Sequence, residues 1–475
     1  MRLIFVHGWS VTDTSTYGRL PEALVAQAGR YGLKLDIQHV WLGRYVSFHD
    51  TVSMADVARA LDHALRDLTP DQNEIPDFSC ITHSTGGPVV REWLERFYGS
   101  KNLAASPLRH LVMLAPANHG SALAALGKQR VGRINAWFSG VEPGQRILTW
   151  LSLGSQGQID LARRFIEYKP VKNAFYPFVL TGQSIDKKFY DFINSYLVEA
   201  GSDGVVRVAA ANLNYSMIHL KEGVKDAPIT HGPMKATARL LEVDGEVLRP
   251  EPVALGVVPD ASHSGIKMGI MGSITDPDSD KPQVEEILQC LCVDSKSDYD
   301  KRAKQLAELT AATQTGHCYM MLVFVVHDNQ GEPVADFDLF LLGSDDMSPD
   351  KLSKGFFVDR QQNASQRNHL VYYVDYDVII RKKLTGFRVI ARPTEGFAYY
   401  RTVEYQAGDG LKDVLRPNET LYVDIELRRC IDQNVFSFDP AENPQYDPKG
   451  KGIIGFRSET RNSFHDIEPS GKPID

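Results

Sequence analysis

The sequence predicts a parallel α/β domain over residues 1–293 and a β-sandwich over residues 317–432. Three observations predict it. Short apolar runs alternate with helically spaced apolar residues as far as Val258. A polar, turn-rich break, Asp276-Pro277-Asp278-Ser279-Asp280-Lys281-Pro282, then ends that pattern. From Tyr319 onward the apolar spacing switches to a period of two. Strand, helix, strand in repetition implies a mostly parallel sheet wrapped by helices, because parallel neighbours need a crossover. A period of two marks strands with one buried face.

The elements follow in order. The run from Leu3 to Val6 reads as a buried strand. The stretch from Tyr17 to Gly29 reads as a helix, with Leu20, Ala23, Leu24 and Ala28 at helical spacing. Lys34 to Trp41 reads as a strand. Met54 to Leu68 is helical, with Val57, Leu61, Ala64, Leu65 and Leu68 on one face, and Pro70 ends it. A strand from Phe78 to Thr82, a helix from about Pro88 to Tyr98 and a strand from Leu108 to Ala115 come next. Pro177 to Thr181, Val205 to Ala209, Tyr215 to Leu220 and Val253 to Val258 read as further strands. Val284 to Leu291 is a helix inside the first domain, and residues 294–316 read as a linker whose charged stretch from Ser295 to Gln305 is a candidate helix. In the second domain Phe387, Val389 and Ala391 alternate with Arg388, Ile390 and Arg392. Leu421, Val423, Ile425 and Leu427 alternate with Tyr422, Asp424, Glu426 and Arg428. Asp328 to Val334 resembles the first hairpin of transthyretin-like or immunoglobulin-like sandwiches. The tail, 433–475, is poor in apolar residues and reads as an extended strap.

Composition narrows the function classes. The chain has 475 residues, 43% apolar and 24% charged, which excludes a disordered, collagen-like or disulfide-dense protein. A net charge of −8 gives no argument for nucleic-acid binding and speaks against a polybasic membrane anchor. No apolar stretch reaches the roughly 18 residues of a spanning helix. The four apolar residues after Arg2 are too few for a signal-peptide core, so cytoplasmic synthesis without a cleavable leader is expected. The five cysteines are scattered and odd in number, as expected of reduced structural thiols. Cys290 and Cys292 are too close to pair, and no zinc ligands accompany them.

The most informative stretch is Cys80-Ile81-Thr82-His83-Ser84-Thr85-Gly86-Gly87-Pro88. A strand ends, a serine follows, and small residues lead into a helix. A nucleophile elbow requires this: a sharp turn that exposes the serine oxygen, at a helix N-terminus that favours developing negative charge. Here the sequence resembles the α/β-hydrolases, whose elbow reads Gly-x-Ser-x-Gly. Thr82 stands where that pattern has its first glycine.

The resemblance implies an α/β-hydrolase fold and assigns roles to further segments. His7-Gly8-Trp9-Ser10 resembles the oxyanion loop, so the backbone N–H groups of Trp9 and Thr85 are the expected oxyanion donors. His7 would brace the loop. Ala115-Pro116-Ala117-Asn118-His119-Gly120-Ser121 resembles a lipase segment that supports the rim of the site. His119 is not the base, because it precedes the acid. Gly201-Ser202-Asp203-Gly204 resembles the acid turn, with Asp186 and Asp191 as rivals. The base must follow the acid, which leaves His219, His231 and His263. His219 lies inside a strand; His231 lies in a loop with no strand leading into it. His263 follows a strand and a turn, where the family places its base. The expected triad is therefore Ser84, Asp203 and His263, with His231 as the second candidate.

This chemistry requires no cofactor and no metal. Between Ser121 and Lys172 the chain departs from the alternation and carries Ile134, Trp137, Phe138, Ile147, Leu148, Trp150 and Leu151. An insertion at this point commonly forms a lid in α/β-hydrolases, so residues 121–172 are the expected helical lid. An apolar lid implies an apolar acyl chain, hence a lipase or phospholipase. The alternatives are an acyltransferase using the same triad and a non-catalytic binding protein on a hydrolase scaffold. The expected partner is a lipid or other acyl ester. Peripheral membrane contact, or a protein partner on the β-sandwich, would add to it. Signal-independent export as an effector is an expectation by analogy.

Overall fold

The computed structural model describes residues 1–7, 17–69, 74–125, 144–185, 199–229, 236–314, 316–343, 348, 355–393, 398–407 and 411–431. It also describes four short strands of the tail, at 437–438, 445–446, 453–454 and 458–463. The first sheet holds β1 (Arg2–His7), β2 (Asp36–Trp41), β3 (Phe78–His83), β4 (Leu108–Leu114) and β5 (Tyr176–Thr181). After β6 (Tyr215–Ile229) and β7 (Ala236–Val243), which leave it, the sheet is completed by β8 (Ala254–Val257). Its order is β2-β1-β3-β4-β5-β8, and all five pairings are parallel. β3 and β5 are buried at every residue, as the middle of a sheet covered on both faces requires.

Alternate side chains of this sheet feed two cores. Leu3, Phe5, Ile81, Val112 and Leu114 pack under α1 (Leu20–Ala28) and two later helices. Ile4, Val6, Cys80, Leu111 and Met113 pack under α2 (Met54–Asp67) and α3 (Gly86–Phe97). Ser53 starts α2 with a capping box: its Oγ accepts from Asp56 N–H while the Asp56 carboxylate accepts from Ser53 N–H. α4 (Gln145–Leu151) and α5 (Gln156–Phe165) follow β4 and bury Ile147, Leu148, Leu151 and Ile159 in the same core. α6 (Pro282–Leu291) and α7 (Lys296–Thr313) close the other face. The stretch read as a linker thus holds a helix capped by Ser295. Its Tyr299 and Leu306 are buried against the sheet, and Tyr299 Oη donates to the Pro177 carbonyl.

Val205 to Ala209, expected as a strand, instead leads into a single helical turn, Val208–Ala211. The Asp203 carboxylate takes the N–H groups of Val205 and Val206, which a strand would have given to a neighbour.

The second sheet holds β9 (Tyr319–Asp328), β10 (Asp336–Gly343), β11 (Phe357–Gln362), β12 (His369–Asp375) and β13 (Leu384–Arg392). With β14 (Ala398–Tyr399) set aside, β15 (Val403–Gln406) and β16 (Thr420–Leu427) follow. The order is β10-β13-β15-β7-β6-β16-β9-β12-β11, so two of nine strands come from before residue 293. β16 lies parallel between β6 and β9. The sheet folds over on itself: Phe324 of β9 meets Phe387 of β13 edge to face at 5.3 Å, although the two strands lie five places apart in the order. That inner core holds Leu421, Val423, Ile425 and Leu427, the face that the period of two marks as buried. The turn at Asp328 to Val334 closes by Asp328 N–H on the Glu332 carbonyl, but the chain then crosses to β10 at the far end of the sheet rather than continuing as a hairpin. Tyr422 points the other way and is 5% exposed, because Tyr215, Met321, Val323, Val371 and Tyr373 on that outer face pack onto the first domain's core. No helix among the described residues is long and apolar enough to cross a membrane.

Candidate active site

Ser84 sits between β3 and α3 at φ 52°, a left-handed backbone that side chains rarely adopt. The turn is held from both sides: Ser84 N–H donates to the Leu114 carbonyl, and Ala117 N–H donates to the Ser84 carbonyl. A Cβ at Gly86 would stand 3.1 Å from the Thr82 Cβ and 3.1 Å from the Val6 carbonyl oxygen. Thr82 is therefore tolerated in place of a glycine because Gly86 has no side chain. A Cβ at Gly87 would stand 2.9 Å from Pro116, so the helix also needs its second glycine to lie against β4.

His263 Nε2 lies 3.2 Å from Ser84 Oγ, and His263 Nδ1 lies 2.9 Å from Asp203 Oδ2. The three side chains form one line, and both His263 and Asp203 are fully shielded from solvent, at 1% and 0% exposure. The backbone adds a further tie, His263 N–H to the Asp203 carbonyl. The other carboxylate oxygen of Asp203 accepts N–H bonds from Val205 (2.9 Å) and Val206 (2.7 Å). These donors fix the orientation of the carboxylate, and Gly204, at φ 95°, makes the turn that aims them. A buried carboxylate, imidazole and hydroxyl in line can turn a neutral serine into a nucleophile.

Thr85 follows Ser84 directly and is the N-cap of α3, so its N–H stands at the helix N-terminus beside Ser84. Trp9 lies outside the described residues, as do the rival acids Asp186 and Asp191 and the second base candidate His231. His219 lies near the start of β6 and belongs to a different cluster. Within the expected lid, Leu123, Ile147, Leu148 and Leu151 are buried, while residues 126–143, with Ile134, Trp137 and Phe138, lie outside the described residues.

His119 is buried beneath the site. Its Nδ1 lies 2.7 Å from the Tyr422 hydroxyl and its ring is boxed between Tyr215 and Tyr422. Burial, reinforced by the nearby Arg91 guanidinium, pushes its pKa down to about 3. It is a fixed neutral brace between the two sheets.

Two residues escape a sequence reading. His83, a variable position of the elbow pattern, is buried with its ring 4.7 Å from the His263 ring, and its Nε2–H donates to the His263 carbonyl at 3.2 Å. Burial, and then the neighbouring His263, hold its pKa well below the usual histidine value, so it stays a neutral donor. Arg207 is 2% exposed, doubly bonded to Glu199 at 2.8 Å, paired with Asp359 of β11, and stacked over Tyr373 at 4.3 Å. The only sequence signal for it is an arginine inside the apolar run Val205-Val206-Arg207-Val208-Ala209.

No protein-family profile and no curated protein matches the chain. Solved structures do. The chain is similar to phospholipase PlaB from Legionella pneumophila in complex with thio-NAD, with 39% identity over 100% of both chains and a TM-score of 0.83. A second structure of that Legionella phospholipase shares 42% identity over 95% of this chain and 99% of the other, with a TM-score of 0.82.

Proposed function

This chain belongs to the family of the Legionella phospholipase PlaB, an α/β-hydrolase, and we propose that it hydrolyses phospholipid esters through an acyl-enzyme on Ser84. The observation that carries the reading is the buried line Asp203–His263–Ser84. His263 takes the Ser84 proton as the oxygen attacks the acyl carbonyl, and then delivers it to the departing alcohol. Asp203 holds the ring with Nδ1–H facing the carboxylate and stabilises the imidazolium that forms. The Thr85 N–H, together with the Trp9 N–H, binds the oxyanion, each donor lowering the barrier by about 3 kcal/mol. Water then repeats the cycle in the second half-reaction. The apolar composition of the segment between Ser121 and Lys172 supports a carboxylic-ester substrate with apolar chains, and a lipid substrate brings the protein to a membrane surface.

The test is mass spectrometry of products from a mixed phospholipid and short-chain ester panel. Wild type should release fatty acid and lysophospholipid. Ser84→Ala and His263→Ala should lose about 10⁴-fold or more of that rate. Full activity in both variants overturns the assignment. Ester products that accumulate only when an alcohol is supplied would identify acyl transfer instead.

A further inference from the structure

A second chemical cluster lies on the outer face of the second sheet, away from Ser84. His219 of β6, Asp424 of β16 and His327 of β9 come from three adjacent strands. Asp424 is directly opposite His219 in the register, and His327 is opposite Glu426, one step diagonal. All three side chains share the face of Tyr422. Asp424 Oδ1 lies 2.8 Å from His327 Nε2, and Asp424 Oδ2 lies 3.3 Å from His219 Nδ1. The two imidazole planes are nearly parallel, at 12°, with centroids 6.1 Å apart. The ligand atoms all lie within 4.8 Å of one another.

The outer nitrogens are also engaged. His327 Nδ1 lies 3.0 Å from the Asp328 carbonyl oxygen, an acceptor that keeps a proton on Nδ1 and leaves Nε2 to face the carboxylate. His219 Nε2 lies 3.8 Å from the half-exposed Asp244 carboxylate, within ion-pair range but beyond a hydrogen bond. His327 thus spends its far nitrogen on an acceptor, and both rings turn their near nitrogen toward the same carboxylate. For His327 that is the outer-shell arrangement of a metal-bound histidine. Ligand separations of 2.8 and 3.3 Å are close to the edges of about 3.0–3.4 Å expected around an ion with bonds near 2.1 Å. His219 and Asp424 also line a cavity of about 400 Å³ with Arg163, Met217 and Leu248. None of the proposed triad residues lines it.

We propose that His219, His327 and Asp424 bind a divalent transition metal of borderline softness, such as zinc, with the open side of the ion facing this cavity. Two imidazoles and one carboxylate suit such an ion and disfavour calcium or magnesium, which take mostly oxygen. Two cations compensate the carboxylates when the metal is absent: Arg163, 3.7 Å from Asp424, and Lys221, 2.7 Å from Asp244. Their side chains are 54% and 46% exposed, so both can turn to solvent when the ion enters. The bound ion would pin β6, which belongs to the stretch between acid and base, to the strands of the second sheet.

The experiment titrates chelator-stripped full-length protein with Zn²⁺ and Co²⁺, reading bound metal per chain and melting temperature. Wild type should bind one ion per chain at this site and melt higher with it. His327→Gln and Asp424→Asn should weaken that binding at least about tenfold, as loss of a ligand must exceed loss of an outer-shell partner. His317→Ala, in the separate cluster with Asp375 and Asp377, should change nothing. Binding that persists unchanged in His327→Gln overturns the proposal. So does wild type that takes up no ion, which would leave a proton as the occupant between the rings and Asp424. If the variants fail to fold, X-ray absorption at the zinc edge of the wild type decides: two imidazoles and no sulfur support the site, and sulfur ligation through the cysteines overturns it.

Discussion

Gly86→Ala is the sharpest probe of the elbow, because the chain departs from the glycine pattern on the facing residue. The new methyl would stand 3.1 Å from the Thr82 Cβ and 3.1 Å from the Val6 carbonyl oxygen. Carbon contacts are optimal at about 3.5–4.0 Å, so β3 and α3 must separate by a few tenths of an ångström. Overpacking of this kind costs about 1–3 kcal/mol. Ser84 sits between the two colliding elements, so the shift also moves Oγ away from its 3.2 Å contact with His263. Thr82→Gly removes one of the two collisions and leaves the Val6 oxygen in place. The double variant Thr82→Gly/Gly86→Ala should therefore recover part of the loss, with a favourable coupling of about 1 kcal/mol in both stability and kcat/KM. The assay is a double-mutant cycle on denaturant unfolding and on hydrolysis of a soluble ester. Additivity within about 0.3–0.5 kcal/mol would refute the reasoning, since it would mean that the two side chains do not meet.

The other predictions concern the support of the site. His119 stays neutral in the folded protein down to about pH 3, while in the unfolded chain it protonates from 6.5 downward. Its contribution is thus present at pH 7 and is lost as the pH falls from 6.5 toward 3, reaching about 2 kcal/mol at pH 5. Denaturant unfolding at pH 7.5 and 5.0 should show a smaller drop in His119→Asn than in wild type; equal drops would contradict the buried neutral ring. Arg207→Ala strips the cation from Glu199 and Asp359, whose side chains are only 14% and 20% exposed, and should cost about 3 kcal/mol of stability. If Arg207→Ala and Arg207→Lys unfold at the wild-type denaturant concentration, the pair contributes nothing. Thr82→Val removes a buried hydroxyl that has no partner among the described residues, and should keep or raise the melting temperature.

Much of this was legible in residues, and the reasons for the rest are physical. The parallel sheet could be read because its strands are short, wholly apolar and separated by amphipathic helices. The elbow could be read despite Thr82, since a serine between a strand and two glycines leaves few alternatives. Asp203 and His263, which the fold brings into line with Ser84, could be nominated from turn chemistry and the chain order that the α/β-hydrolase resemblance implies. His83 and Arg207 could not, because their value lies in what folding places beside them: a carbonyl 180 residues away for His83 and a carboxylate 152 residues away for Arg207. The strand reading of Val205 to Ala209 failed for a related reason. Apolar periodicity cannot tell that a carboxylate two residues earlier will claim the local N–H groups.

The pairing of β6 with β16 sets a condition on catalysis that a division of the chain near residue 293 hides. Asp203 precedes β6, and His263 follows β8. The chain between them leaves the first sheet, builds β6 and β7 into the second, and returns. β6 is held along Tyr215 to Lys221 by β16, from Thr420 to Glu426. A chain ending at residue 316 would strip that partner. Seven paired residues of β6 would lose their ladder, and Tyr215, Met217, Ile218 and Leu220 would lose the apolar cover supplied by Tyr422, Leu421 and Val423. His119 would also lose the Tyr422 hydroxyl under the site. The excursion would then no longer return His263 to Asp203. The expected outcome is that residues 1–316 alone give protein whose Ser84 resists a fluorophosphonate probe, while the full chain is labelled. Wild-type labelling of a folded 1–316 fragment would show that the acid–base pair assembles without the second sheet, and would return the two regions to independence.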